Sequence, residues 1–378
     1  MSFFKSWQGY SALSRETEKK IVFYSEGKSY WINFKAVIKS LIEDYGQKVY
    51  YVTSSVDDPV LVQASDKFRP FYIGHEFFRI LFFKTLKADI FLTSLPDIGT
   101  FHLKRPQTAK TFIYIHHTLG SMNMIFLPGA FDSYDAVMCS GQHQILEARE
   151  MEVFYKAKPK MLIPAGYPPL DDLLTRLDAT EIPLNENPVV TIAPSWQAEN
   201  IIDRVALPLI ESLLEAGFVV KLRPHPRTLQ LEFKKVKKLV AELSSEKHFQ
   251  FDNSPGSFDS YLTTDLIVTD WSGTGFKFAF ARLRPVLFIN TPPKVRNHDY
   301  NLFENVPAEL GWRKIVGYDL DEDQVHLAGT TVRRLLDDSA FSARLKEFRN
   351  AQTFNLGCGG QAIAKAVMDI MGGNRHSY

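Results

Sequence analysis

The sequence predicts two successive α/β domains, each a doubly wound parallel sheet with helices on both faces. Three observations carry that expectation. Short apolar runs alternate with longer amphipathic segments along nearly the whole chain, the signature of strand–helix–strand units. The alternation restarts after a stretch at 166–187 that is rich in Pro, Asp and Asn. The chain has 378 residues, more than one ordinary core organises, so two domains of usual size fit.

The first half begins with Lys20–Ser25, whose Ile-Val-Phe-Tyr run is β-branched and aromatic and reads as a strand. Tyr30 to Tyr45 has helical spacing, and Lys48–Thr53 and 71–73 are strands. A helix follows over Glu76–Ala88, then strands at Ile90–Ser94, Thr111–Ile115 and Asp135–Ser140. A helix from Gln142 to about Tyr155 and a strand at Lys160–Pro164 close this half. The second half opens on a strand at Pro188–Ala193 and a helix over Arg204–Ala216, which Gly217 ends. Then come the strand Phe218–Leu222, the Lys-studded helix Leu231–Ser244 and the strand Asp265–Thr269. The helix Gly275–Arg282 and the strand Pro285–Asn290 complete the series. The expected division is 1–168 and 169–378, with the last helix free to pack back on the first domain. Two such domains facing a cleft, with ligands at the carboxyl ends of their strands, make a bilobal enzyme.

Composition narrows the function. With 45% hydrophobic and 23% charged residues the chain is globular. A net charge of +1 lacks the basic excess on which nucleic-acid affinity rests. Cys139 and Cys358 are isolated, which suits a reduced compartment and makes neither a disulfide framework nor a zinc site. The first twenty residues are polar with no apolar core of a signal peptide, and no apolar run nears the ~20 residues that span a bilayer. The expected location is the cytoplasm, including the inner face of the membrane as a peripheral site.

Three segments at strand ends carry chemistry. Ile113-Tyr-Ile-His-His-Thr-Leu-Gly120 places two histidines where one can take a proton from a hydroxyl near neutral pH; the bland alternative is a surface or capping pair. Lys221-Leu-Arg-Pro-His-Pro-Arg227 gathers Arg223, His225 and Arg227 on a proline-stiffened loop suited to a diphosphate; the alternative is a basic solvent-exposed turn. Leu266-Ile-Val-Thr-Asp-Trp-Ser-Gly-Thr-Gly275 ends a strand and starts a helix, so exposed N–H groups make an anion site, with Ser272 and Thr274 adding hydroxyls. Here the alternative is an ordinary N-capped helix.

Taken in order, His116-His117-Thr118, Ser140-Gly141, Gly166-Tyr-Pro168, Ala193-Pro-Ser-Trp196, Arg223-Pro-His225 and Thr269-Asp-Trp-Ser272 resemble the CDP-glycerol glycerophosphotransferase family of teichoic-acid polymerases and primases. The resemblance covers about residues 110 to 290, and Asn355-Leu-Gly357 is also similar to the family's pattern. Each motif is loose, and their order and spacing carry the specificity. The chain departs from the pattern at His117 in place of Gly, Pro169 in place of Arg, Trp271 in place of Tyr and Gly273 in place of Ser, while Asp171 is kept.

The resemblance implies a GT-B architecture and transfer of an alcohol phosphate, glycerol phosphate or a similar polyol phosphate, from a CDP-linked donor. The acceptor would be a hydroxyl of a cell-surface glycan or a lipid-linked chain, and CMP would leave. It implies His116 as the catalytic base, with His225 assisting. Arg223, His225, Asp270, Ser272, Gly273 and Thr274 would hold the donor's phosphates, and His117, Thr118, Ser195 and Trp196 are candidate nucleotide or acceptor contacts. No cofactor is implied, and the reading requires no divalent metal. The Asp319-Leu-Asp321 and Asp321-Glu-Asp323 strings read as helix-dipole carboxylates rather than metal ligands. Two other readings compete: a GT-B glycosyltransferase using a CMP- or UDP-sugar, and a non-catalytic nucleotide-binding protein. Finally, Glu76-Phe-Phe-Arg-Ile-Leu-Phe-Phe-Lys-Thr-Leu-Lys87 mixes aromatic and basic residues as membrane-interface helices do, although a core helix is the favoured reading.

Overall fold

Strands rich in Val, Ile, Phe and Tyr that are buried on both faces can only sit inside a parallel sheet covered by helices. A computed structural model, which describes residues 2–99, 103–181, 186–254 and 259–374, contains two such sheets. The first comprises β1 (Ile21–Ser25), β2 (Val49–Thr53), β3 (Phe68–Tyr72), β4 (Lys87–Thr93), β5 (Thr108–Ile115), β6 (Ala136–Cys139) and β7 (Met161–Pro164). Their order is β3-β2-β1-β4-β5-β6-β7, and every pairing is parallel. The second comprises β8 (Val189–Ile192), β9 (Val219–Leu222), β10 (Phe249–Phe251), β11 (Leu266–Thr269), β12 (Val286–Asn290) and β13 (Gly317–Asp321), ordered β10-β9-β8-β11-β12-β13 and again parallel throughout. The expected fold class is borne out.

The chain divides into two compact units. One takes Met1–Asp172, Arg296–Asn305 and Gln352–Tyr378; the other takes Leu173–Val295 and Val306–Ala351. In the first unit two apolar layers cover the sheet. One, built on Tyr24, Phe82, Phe83, Phe91 and Phe112, is aromatic, and the other combines Phe34, Val37, Ile38 and Leu41 of the helix Trp31–Glu43 with Ile363, Val367 and Ile370 of the helix Gly359–Met371. In the second unit Leu209, Ile210 and Leu213 of the helix Ala206–Glu215 pack on Val190, Ile192, Val220 and Leu222. Each sheet reverses its strand order once, at β1/β4 and at β8/β11, which places a ligand crevice above those carboxyl ends.

Several elements differ from expectation. Residues Ser2–Arg15 form a helix against β3, where only glycine fits at position 9 because a Cβ would strike the Tyr72 carbonyl. Residues Pro168–Ala179 are a helix rather than a connection: its prolines suit the first turn, and Asp171 adds an acidic group there. The helix expected over 76–88 is Phe77–Thr85, and the chain turns at Leu86 into β4. In it Phe78, Phe82 and Phe83 are buried while Phe77 faces outward, so the core reading of this segment stands and a fully lipid-facing helix does not. The acidic string near 319 is the edge strand β13. Asp319 pairs with Arg313 at 2.6 Å, and Asp321 accepts a bond from the Asn290 amide at 2.7 Å.

Candidate functional site

The first unit's segment lies at the end of β5. Side chains alternate along a strand, so His116 follows Tyr114 into the aromatic layer. Its ring is 1% exposed and meets Tyr114 at 5.0 Å, Phe126 at 5.9 Å and Phe131 at 6.0 Å. Neither ring nitrogen has a hydrogen-bond partner among the described residues. Burial, then the neighbouring His117 and His143, hold its pKa well below the usual histidine range. His117 is the second residue past β5 and is half-buried. Its Nδ1 lies 2.8 Å from the Tyr114 hydroxyl, and its carbonyl accepts a 2.9 Å bond from the Tyr167 hydroxyl. The Gly166-Tyr-Pro168 motif therefore anchors the histidine segment. The Thr118 hydroxyl accepts the Gly120 N–H at 3.0 Å and shapes the turn. Asp171, the retained acid of that motif, accepts the Gly357 and Gly359 N–H groups at 2.6 and 2.8 Å. Burial pushes its carboxyl up to about 6.

In the second unit the predicted residues gather at the β8/β11 crevice. Asp270 is buried, and its carboxylate accepts the Ser195 N–H at 2.7 Å, the Trp271 N–H at 2.7 Å and the Ile201 N–H at 3.3 Å. Engaged in this way, the Asp270 carboxylate ties the β8 and β11 loops together. Arg223 is engaged within the unit as well. Its guanidinium is buried, bonds Asp252 and the Ser254 carbonyl at 3.2 Å each and the Ser260 hydroxyl, and lies over the Tyr261 ring.

Ser272, Gly273 and Thr274 are partly open at the start of the helix Thr274–Arg282, where the Ser272 hydroxyl accepts the Thr274 N–H at 3.3 Å. The His225 Nδ1 accepts the Arg227 N–H at 3.1 Å. Burial, Lys294 and Arg227 lower this imidazole's pKa to about 4, so at neutral pH it is an uncharged ring whose Nε2–H can donate. Trp196 is 41% exposed, with Arg227 and Lys294 over its ring at 4.8 and 4.6 Å and His225 at 6.3 Å. The Ser195 hydroxyl beside it is buried without a partner among the described residues. A planar ring flanked by cations and a helix N-terminus suits a nucleotide and its phosphates.

Sequence reasoning missed three groups. Lys294 follows β12 in a Pro-Pro-Lys turn, and its place after the next parallel strand was the available signal. Lys277, one turn into the helix Thr274–Arg282, is drawn down to about 7 by burial and by Arg223. Tyr114 lies within the expected strand Thr111–Ile115, and its position three before His117 is the signal that marks it. Among the described residues no cluster of three His, Cys, Asp or Glu side chains is arranged to hold a metal, and no helix is long and apolar enough to cross a membrane.

The family model of CDP-glycerol:poly(glycerophosphate) glycerophosphotransferase matches residues 127–301. That span holds five of the six motifs, including both strand-end loops of the second unit, and begins after His116–Thr118. No curated protein matches the sequence. Among solved structures, the wall teichoic acid polymerase TagF superposes with a TM-score of 0.58 at 14% identity, over 99% of this chain and 98% of that one. A TagF variant soaked with CDPG gives 0.60 at 15% identity with the same coverage. The UDP-GlcNAc 2-epimerase of Methanocaldococcus jannaschii, in complex with UDP-GlcNAc and UDP, gives 0.55 at 12% identity over 93% of this chain and 99% of that one. These likenesses establish a GT-B-like fold of two parallel α/β sheets. Residues 127–301, a little under half of the chain, thus match the CDP-glycerol:poly(glycerophosphate) glycerophosphotransferase family model and lie on that GT-B-like fold.

Proposed function

We propose that this enzyme transfers an alcohol phosphate, glycerol phosphate or a close polyol phosphate, from a CDP-linked donor to a hydroxyl of a glycan or lipid-linked acceptor and releases CMP. The observation that carries the reading is the Trp196 platform, with Arg227, Lys294 and neutral His225 gathered beside the loop that Ser272 to Thr274 form after β11. The indole face offers a surface for a nucleotide ring. The cations and the His225 Nε2–H offer charge and donors to diphosphate oxygens, whose stabilisation is the main work of phosphoryl transfer. In the first unit the 116–118 segment supplies imidazole for removing the acceptor's proton. The acceptor oxygen then attacks the phosphorus that bears the alcohol, and the bond to CMP breaks with its electrons leaving on CMP.

The test is CMP or UDP release from CDP-glycerol, CDP-ribitol, CMP-sugars and UDP-sugars, with a short glycerophosphate oligomer as acceptor. Release of CMP from a CDP-alcohol alone is the expected result. Release only from a nucleotide sugar would replace this reading with a glycosyltransferase, and binding of CDP without turnover of any donor would leave a nucleotide-binding protein.

A further inference from the structure

We propose that the crevice at the β1/β4 reversal of the first unit holds the terminal polyol of the acceptor, with the buried Ser94 hydroxyl bonding the hydroxyl next to the one that reacts. For the identity of its occupant the proposal rests on the transfer reading above. The residues concerned, Ser94, Glu26 and Tyr30, lie outside the chemical motifs of the sequence and before the span that the family model matches.

Ser94 is the first residue past β4 and is 2% exposed, and its Oγ has no hydrogen-bond partner among the described residues. A buried hydroxyl in that state costs stability, so its retention calls for a ligand that completes it. It lines a crevice of about 170 Å³, part of it open to solvent, whose walls include the Tyr30 and Phe34 rings, Leu95 and the Glu26 carboxylate. Among the described residues no cationic side chain lines it. The other hydroxyls at its wall are engaged within the protein: Tyr24 with Ser54 at 2.8 Å, and Ser25, which donates to the Gly27 carbonyl at 2.8 Å. Arg79 donates to the Glu26 Oε1 at 3.2 Å, and a carboxylate accepts further bonds beside that one.

These groups fit a neutral diol. The Ser94 hydroxyl can both donate and accept, Glu26 accepts, and the ring and Leu95 faces suit the carbon chain of a polyol. A phosphate here would meet a carboxylate and no lining cation, so charge favours a hydroxyl over the acceptor's phosphodiester. The position suits the reaction. Thr93 pairs with Tyr114, which sets Ser94 at the level of Ile115, one residue before the histidine segment. Neighbouring strands lie about 4.8 Å apart, a distance that one polyol unit spans. Tyr30 connects the crevice to the same segment, its ring edge-on to that of His117 at 6.1 Å. An acceptor end with its reacting hydroxyl at 116–118 thus sets the neighbouring hydroxyl on Ser94.

The experiment measures, by calorimetry, the binding of two short glycerophosphate oligomers to wild type and to Ser94→Ala. One oligomer ends in glycerol; the other ends in propane-1,3-diol, which keeps the reacting primary hydroxyl and lacks its neighbour. Wild type should prefer the glycerol end. Ser94→Ala should weaken the glycerol-ended oligomer by about 3–10-fold, the loss of one net hydrogen bond, and leave the other unchanged. Its thermal melt should match wild type or rise, since no protein group loses a partner. Glu26→Gln, which keeps an acceptor for Arg79, should also weaken the glycerol-ended oligomer selectively. In CMP release from CDP-glycerol the same contrast should appear in the KM for acceptor, with CDP affinity unchanged. Equal effects of Ser94→Ala on both oligomers, or none, overturn the proposal, as does a wild type that binds neither or prefers neither. A lower melt with unchanged binding assigns the hydroxyl to folding and overturns it too. If wild type releases CMP from no donor while the binding contrast holds, the transfer reading fails and the polyol site stands.

Discussion

The helix Phe77–Thr85 carries phenylalanines on opposite sides, and replacing one from each side tests its place in the fold. Phe82 is 1% exposed and packs with the rings of Tyr24, Phe83 and Phe91 at 5.9, 5.4 and 5.9 Å, whereas Phe77 is 60% exposed. Phe82→Ala should cost about 3–5 kcal/mol, the range for emptying a buried aromatic site. In a unit of this size each kcal/mol moves the melting temperature by about 2–4 °C, so the drop should be about 6–20 °C. Phe77→Ala removes a side chain that is mostly in water and should stay within about 0.5 kcal/mol of wild type. Differential scanning calorimetry of the purified variants reads both values. A helix seated in lipid headgroups would give another pattern, since Phe82→Ala would melt in buffer as wild type does. Equal melts for the two variants would therefore refute the core placement.

Trp196→Ala should weaken CDP binding by about 10-fold or more in calorimetry, in keeping with stacking values of about 1–3 kcal/mol per base, and His225→Ala and Ser272→Ala should each weaken it too. His143, half-buried, is lowered by desolvation to about 4, as is His225, and His116 lies well below the usual range. A histidine with a lowered folded pKa contributes stability above its unfolded value of about 6.5 and loses it as pH falls toward 4. The melting temperature should accordingly fall from pH 7 to pH 4, and a His143→Gln variant should show a shallower fall. A Cβ at Gly360 would stand 2.5 Å from that of Ala36, so Gly360→Ala should lower the melt by forcing the helices Trp31–Glu43 and Gly359–Met371 apart. Asp171→Asn leaves one of the Gly357 and Gly359 N–H groups without an acceptor and should cost about 1–3 kcal/mol, read from denaturant unfolding.

Strands buried on both faces were legible because nothing but a covered parallel sheet explains runs such as Ile21-Val-Phe-Tyr. The edge strands were not. Phe249–Phe251 has three residues, and Gly317–Asp321 is half polar, so neither shows the apolar run that marks a central strand. The helix Pro168–Ala179 was hidden by its own start, since paired prolines read as a linker until their place in a first turn is known. At the site, sequence identified the segments but not the roles within them. Arg223 and Asp270 carry the charges that a phosphate cradle suggests, yet their partners Asp252 and the Ser195 N–H come from distant parts of the chain. Local pattern cannot show that a charge is already neutralised or bonded. The same limit applies to His116 and His117, adjacent in sequence yet the first buried and the second half-buried.

The first unit takes its final layer from residues 352 onward. During synthesis, Phe34, Val37, Ile38 and Leu41 on the helix Trp31–Glu43 are made more than 300 residues before Ile363, Val367 and Ile370, the side chains that cover them. The half that leaves the ribosome first thus cannot close until the last helix has followed it out. For most of its translation the nascent chain presents an apolar face of the kind that chaperones bind and that aggregates when left open.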